Sequence, residues 1–374
     1  MKTSPTLPLP TLLLLLFILG QFPVAGKRAQ TQIWESGVYI ITLVSDPEHD
    51  GQTIVRLLLN FKDTIFIAYV DDNVIGGLSV ALPLKRGDYV GERPEGPRSK
   101  HSAISYSVAF VGSSTKYFTT VRSDGWLHSD KTVGFLSYIT ESGSWTNYPY
   151  RRIMYSVPRD GVYWIMARPD GSTGHWTTVN IMGLFNAYSG LGVPISASGA
   201  FYLTTKDKIS MKVTTGQSHI DPATMMSWVY LENNTPEKLK GTYMAFTDTV
   251  PPMYAKDYGT DENVAFGGSR LLDRGNMYDQ SSKVFSISIS GTYILSLRGN
   301  PAIHKSLRLQ VYCNNKLVFQ SFAQRGVSSG QASVFTFERG DRLYIRARDY
   351  RHVGKHTMIS IALLSKKDRQ RLYQ

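Results

Sequence analysis

Runs rich in Val, Ile, Tyr, Thr and Phe recur along the chain, parted at short spacing by Gly, Asp, Asn and Ser, while apolar residues seldom recur at intervals of three and four. That pattern predicts strands and turns and disfavours helices, which places the chain among all-β sandwiches or barrels. Thirty-two glycines suit many tight turns. In Tyr293-Leu295-Leu297 the large apolar residues alternate with Thr292, Ser296 and Arg298, as in a strand wet on one face. Two other stretches are apolar on that second face as well: Val38, Ile40 and Val44 in one, Val162, Trp164 and Met166 in the other. A strand apolar on both faces is covered on both. One face can pack inside a sandwich. The other predicts burial against another repeat or chain, with a local loop as the plainer alternative.

These stretches are copies of one phrase. Gly37-Val38-Tyr39-Ile40-Ile41 matches Gly161-Val162-Tyr163-Trp164-Ile165 and Gly291-Thr292-Tyr293-Ile294-Leu295. A Gly-rich strand and an Asp-bearing turn follow, with Asp88, Asp207 and Asp341 lying 49, 44 and 48 residues after their tyrosines. A closing strand comes next, its serines Ser107, Ser227 and Ser360 standing 19, 20 and 19 residues after the acids. Three marks in one order at near-equal spacing make an internal repeat. The Gly of each phrase is expected to take positive φ before its strand, and the aspartates to be turn chemistry.

Ahead of the repeats, Lys2, the apolar run Leu12 to Leu19 and the small residues of Phe22-Pro-Val-Ala-Gly26 read as a secretory signal peptide, so the expected product is secreted and extracellular, beginning near Lys27. No stretch approaches the roughly 20 apolar residues of a membrane span. The single cysteine, Cys313, excludes a disulfide scaffold and reads as a small buried hydrophobe. The net charge of +12 is uneven: residues 30–115 carry −3, 116–233 carry +2 and 234–374 carry +10. A basic C-terminal third favours an acidic partner, and an exported chain without a recognition motif is not expected to bind nucleic acid.

In the third copy, Ala245-Phe246, Gly275-Asn276-Met277-Tyr278-Asp279, Phe285, Gly291-Thr292-Tyr293, Ser329-Gly330, Gly340-Asp341 and Ser360-Ile361-Ala362-Leu363 follow one another in an order that resembles the C1q/tumour-necrosis-factor-like superfamily. The second copy carries Phe118, Gly143-Ser144-Trp145-Thr146-Asn147, Gly161-Val162-Tyr163, Ser198-Gly199, Lys206-Asp207 and Ser227-Trp228-Val229, without the Gly before its Asp. The first has Gly37-Val38-Tyr39, Gly76-Gly77, Gly87-Asp88 and Ser107-Val108-Ala109-Phe110, but only about ten residues between the leader and its Gly-x-Tyr phrase, where the others have roughly 45. The resemblance implies three tandem jelly-roll β-sandwiches, the first truncated at its N-terminus: leader 1–26, repeats 27–113, 114–233 and 234–367, and a basic tail 368–374. It further implies packing of such units about a threefold axis, here either within the chain, as a pseudo-trimer, or between chains as a homo-oligomer. A first repeat lacking its opening strands would leave an unpaired edge and an open core, to be completed by another segment or chain.

Candidate chemistry is sparse. There is no Gly-x-Ser-x-Gly elbow, His-Glu-x-x-His, P-loop or dinucleotide fingerprint, so the chain reads as non-enzymatic. His352 and His356 read as loop histidines. No cofactor is called for. The resemblance allows calcium, with Asp71-Asp72-Asn73 and Asp257, Asp261 and Glu262 as conceivable ligands, though solvated turns account for them as well. Asn233-Asn234-Thr235 matches a glycosylation acceptor, weakened by Pro236. The strongest candidate is a basic face for an anionic ligand: Arg342, Arg346, Arg348, Arg351 and Lys355, with the first three on one side of a strand and Leu343, Ile345 and Ala347 on the other. A solubilising outer face is the competing reading. The expected function is a secreted binding protein for a protein receptor, an anionic glycan or a microbial surface, with a structural matrix or adhesion component as the alternative.

Overall fold

The alternation that predicts strands also sorts their side chains. Residues of one parity pack inside a sandwich, and on the inner sheets those of the other parity meet at a shared centre. The structure is a computed structural model that describes residues 30–46, 53–61, 63–70, 77–95, 103–112, 118–127, 131, 133–141, 154–169, 177–182, 185–190, 193–216, 220, 224–231, 243–246, 256–257, 263–266, 270–274, 277–301, 306–323, 329–348, 352–354 and 357–366. All elements among these residues are strands, and they fall into three successive groups.

The first group comprises β1 (Gln30–Gln32), β2 (Gly37–Asp46), β3 (Thr53–Leu59), β4 (Asp63–Val70), β5 (Gly77–Leu84), β6 (Tyr89–Glu95) and β7 (Ala103–Gly112). Its outer sheet has the order β1-β6-β3-β4 and its inner sheet the order β5-β2-β7. The second comprises β8 (Phe118–Leu127), β9 (Val133–Glu141), β10 (Tyr155–Ser156), β11 (Gly161–Arg168), β12 (Thr177–Ile181), β13 (Phe185–Gly190), β14 (Val193–Ile195), β15 (Ala197–Leu203), β16 (Lys208–Ile209), β17 (Met211–Gly216) and β18 (Met225–Tyr230). Its inner sheet runs β15-β11-β18-β8-β9, its outer sheet β14-β13-β12-β17, with β10 and β16 paired beside it. The third comprises β19 (Tyr243–Phe246), β20 (Lys256–Asp257), β21 (Arg270–Arg274), β22 (Tyr278–Asp279), β23 (Val284–Ser286), β24 (Gly291–Gly299), β25 (Leu307–Cys313), β26 (Lys316–Ala323), β27 (Ser329–Phe337), β28 (Arg342–Arg348), β29 (His352–Val353) and β30 (Met358–Lys366). Its inner sheet runs β21-β19-β30-β24-β27 and its outer sheet β22-β23-β28-β25-β26, with β20 and β29 as a separate pair.

The fold is therefore all-β, with sandwiched antiparallel sheets in jelly-roll order. In each group the Gly-x-Tyr strand lies between a Gly-rich strand and the Ser-bearing closing strand: β2 between β5 and β7, β11 between β15 and β18, β24 between β27 and β30. The three tyrosines are held alike, each hydroxyl donating to the carbonyl four residues back: Tyr39 to Glu35 (2.6 Å), Tyr163 to Arg159 (2.7 Å) and Tyr293 to Ile289 (2.6 Å). The aspartates close turns by accepting the amide three residues earlier: Lys85 N–H donates to Asp88 (2.7 Å), Thr204 N–H to Asp207 (2.7 Å) and Glu338 N–H to Asp341 (2.8 Å).

Two expectations fail. Positive φ belongs to Gly161 of the second phrase but not to Gly37 or Gly291; in the first and third groups it falls instead on Gly87 and Gly340, beside the turn aspartates. Those turns reverse the chain tightly, which is where the positive φ that glycine allows is needed. Nor is β24 wet on one face. Ser296 is 1% exposed, Arg298 is 5% exposed, and Ile294, two residues before Ser296 on the same face, is fully buried. The cover comes from the other two groups.

Each sandwich has its own core, built around Ile41 and Leu57 in the first, Ile165 and Val179 in the second, and Leu295 and Val311 in the third. A fourth core lies where the inner sheets meet. It joins Val38, Ile40, Ala81 and Ala109 to Val162, Trp164, Met166 and Val229 and to Ile294, Ala332, Ala362 and Leu364. Trp164 takes the place held by Ile40 and Ile294 in the other groups. Its extra volume is matched by alanines 81, 109, 200, 332 and 362 in the same cluster, as close packing demands.

Candidate functional site

Two regions carry chemistry beyond packing: the axis between the inner sheets and the outer sheet of the third group. On the axis, β5, β15 and β27 are edge strands with backbone N–H groups to satisfy. The partners are the repeated serines of the next group. Ala81 N–H donates to Ser227 Oγ (3.1 Å), Ala200 N–H to Ser360 Oγ (2.9 Å), and Val334 N–H to Ser107 Oγ (3.3 Å). The set is cyclic: first to second, second to third, third to first. Ser107 also bonds Thr42, and Ser296 donates to the Ser198 carbonyl (2.8 Å). Backbones approach closely here, because a Cβ on Gly330 would fall 2.4 Å from the Ser196 carbonyl oxygen. Methionines pass between groups in the same sense. Met225, at the start of β18, packs in the core of the first group, and Met358, at the start of β30, in that of the second. The equivalent position in β7 is Ser105.

The second region grows from the alternation of β28. Leu343, Ile345 and Ala347 point into the third core, leaving Arg342, Tyr344 and Arg346 on the outer face. Arg342 is exposed. Arg346 is half-buried, its guanidinium 5.3 Å from the Tyr312 ring centroid and 5.0 Å from that of Tyr344. Those rings stack at 5.4 Å and 5°, and the Tyr344 hydroxyl donates to Asn315 Oδ1 (2.8 Å). Cation–π contact thus fixes Arg346, whose Nε is buried without a hydrogen-bond partner. In register, Tyr312 stands opposite Tyr344, Gln310 opposite Arg346 and Arg308 opposite Arg348. Arg308 lies 5.5 Å over the Phe322 ring. Strands β25, β26 and β28 carry Arg308, Lys316, Arg342, Arg346 and Arg348 and no Asp or Glu.

The structure brings Arg342 and Arg346 onto one face and gives the backbone of Arg348 in line with them. Arg351, Lys355 and Asn233 lie outside the described residues, as do Asp71, Asp72, Asn73, Asp261, Glu262 and His356. His352 lies in β29, opposite Asp257 of β20. Sequence reasoning missed Arg308 and the two tyrosines. The alternation Arg308-Gln310-Tyr312 along β25 was the available signal. Among the described residues no group of three His, Cys, Asp or Glu could hold a metal ion, and no helix is long and apolar enough to cross a membrane. Cys313 is half-buried against the third core. Burial first, and then the charge and hydrogen bond of Asp341, push its thiol up to about 11, which leaves it a poor nucleophile.

A third feature was also missed. Glu92 on β6 stands opposite Leu57 of the first core. Its counterparts, counted from the turn aspartates, are Met211 and Ile345, both fully buried. Glu92 Oε2 is buried without a hydrogen-bond partner, and burial raises the carboxyl from 4.5 to about 7.

No protein-family model and no curated protein matches the sequence. Solved structures similar in fold include the globular domain of zebrafish complement 1qA protein, at 14% identity over 34% of this chain and 99% of that one, with a TM-score of 0.28. Others are the Eiger TNF from S. frugiperda (10% identity, 33% and 94% covered, TM-score 0.26) and murine APRIL (14% identity, 33% and 99% covered, TM-score 0.25). Each is matched by about a third of the chain.

Proposed function

We propose that the chain is a secreted, non-enzymatic binding protein that holds an acidic partner, an anionic glycan or an acidic receptor surface, on the outer sheet of its third group. The observation that carries this reading is the composition of β25, β26 and β28: five cationic side chains and no carboxylate, with aromatic rings holding Arg346. A planar guanidinium presents paired donors to sulfate, phosphate or carboxylate. The three groups form an intrachain pseudo-trimer, a reading supported by the cyclic serine bonds and the shared axial core. A polyanion bound on one such face leaves the axis undisturbed.

Retention on a heparin column tests the reading. Replacing Arg342, Arg346 and Arg348 with Ser abolishes retention, whereas Arg56→Ser and Arg93→Ser, on the outer sheet of the first group, leave it unchanged. Because Arg346 also packs on two rings, Arg342→Ser alone is the cleaner variant. It shortens retention without a change in melting temperature. Elution of the triple variant at the parent's salt concentration removes the proposal.

A further inference from the structure

Among the described residues the inner sheet of the first group has three strands, two fewer than the inner sheets of the other groups. In the second group β18 is flanked on its far side by β8 and then β9, and in the third β30 is flanked by β19 and then β21. Among the described residues nothing pairs with the far edge of β7. A ten-residue strand is thereby left with a row of unmatched backbone donors and acceptors. The cost shows in the side chains. On the face of the closing strand that looks into the sandwich, Met226, Trp228 and Tyr230 of β18 are 0%, 3% and 2% exposed, and Ile359, Ile361 and Leu363 of β30 are 0%, 0% and 3% exposed. Their counterparts Tyr106, Val108 and Phe110 are all only half-buried. Tyr106 reaches over the gap to the outer sheet, its hydroxyl bonding Thr31 Oγ1 (3.0 Å) and the Val90 carbonyl (3.3 Å). Glu92 faces the same interior, an acid where the two filled sandwiches have Met211 and Ile345.

We propose that the first sandwich is completed by a strand donated by another polypeptide, added antiparallel to the free edge of β7, with aliphatic residues at alternate positions and one Lys or Arg that meets Glu92. The shape of the site is given by β8 and β19, which occupy the same place in the other two groups. Main-chain hydrogen bonds to β7 supply affinity, and alternate side chains dropping onto Tyr106, Val108 and Phe110 supply selectivity. The charge of the occupant follows from Glu92. A carboxylate with a sealed, unpartnered oxygen is costly, and a basic side chain brought beside it turns that cost into a charge-assisted bond. A second copy pairing β7 with β7 would bring no cation to Glu92, because β7 contains no Lys or Arg. This interface is independent of the polyanion face.

The probe is a labelled peptide copying residues 118–127, the strand that fills this place in the second group. Position 121 stands opposite Met226, the counterpart of Tyr106. Two versions are compared on the full secreted chain, V121K and V121M. The Lys peptide binds at least about tenfold more tightly than the Met peptide, as a single charge-assisted bond allows. That preference disappears in Glu92→Gln and in Glu92→Met, and the bound peptide slows hydrogen exchange of amides 103–112. Any of four results overturns the proposal: no protection of 103–112 by either peptide, equal affinity of the two, a preference that survives both Glu92 variants, or a free protein that sediments as a dimer with those amides already protected. Retention of residues 11–24 in the secreted chain, with exchange at 103–112 rising on their removal, does so as well, because the occupant is then internal.

Discussion

The first and third groups use the same strand phrases, turn aspartates and anchored tyrosines, yet among the described residues one inner sheet has three strands and the other five. In the third group, β30 is paired on both edges and its inward residues are sealed. In the first, β7 has one neighbour among the described residues, and its equivalent residues are half-exposed. The difference teaches that the first group is not held by its own sandwich alone. It is held from behind by the axis, where Val38, Ile40, Ala81 and Ala109 join residues of both other groups, and by Met225 entering its core from β18. The third group receives no such methionine, since Ser105 stands at the position that would deliver one.

The sharpest way to break the comparison is to remove the axis. Trp164 is fully buried at its centre. Trp164→Ala is expected to cost about 4 kcal/mol, the transfer term plus the cavity left behind. The loss should be uneven. Hydrogen exchange should rise first in β2 and β7, which depend on the axis, and last in β24 and β25. Equal loosening of all three groups would show that the first is as self-sufficient as the third.

Equivalent truncations in the two closing strands come next. Ile361→Ala, in the sealed third core, should cost about 3 kcal/mol, whereas Val108→Ala, in the open first core, should cost about 1 kcal/mol. Chemical denaturation measures both. The exposure of Val108, more than its smaller size, sets the gap, so Val108→Ile should be tolerated where an overpacked sealed core would not tolerate it.

Much of this was legible in the sequence. The two-residue alternation gave the strands, and the spacing of Tyr39, Asp88 and Ser107 and their copies picked out residues that take like places in the three groups. The apolar second face of Val162, Trp164 and Met166 foretold a second burial. The same inference failed for β24, because Ser296 and Arg298 are polar yet buried. A buried serine looks like a wet one until its partner is seen, here the Ser198 carbonyl. Glu92 was illegible for a related reason. On its strand it reads as an ordinary surface acid, and only alignment with Met211 and Ile345 marks it as a core position. Arg346 reads as a free cation, and the rings of Tyr312 and Tyr344 that hold it come partly from another strand.

Glu92 also makes the first group sensitive to pH. Its carboxyl is raised from 4.5 to about 7 in the folded chain. Between these values the folded state holds a proton that the unfolded state has released, so stability falls as pH rises from about 4.5 through about 7. After allowance for partial exposure the deficit is on the order of 2 kcal/mol at about pH 8. Glu92→Gln removes the titration. Relative to the parent it should gain that amount between about pH 4 and pH 8 in matched denaturation curves. A constant difference across that range would place Glu92 in solvent instead.

The smallest effect concerns the cyclic serines. Ser360→Ala and Ser107→Ala each delete the acceptor for an edge-strand amide, Ala200 N–H in one case and Val334 N–H in the other. Each should cost about 1 kcal/mol, since a buried donor left unmatched loses its bond without regaining water. Ser360 is fully buried, whereas Ser107 is only half-buried, so water can reach the vacated site beside β7 more readily than the one beside β30. The two costs should therefore be unequal, with Ser360→Ala the larger. Equal losses would mean that the axis is as dry beside β7 as beside β30, and that the half-exposed face of β7 leaves no mark on it.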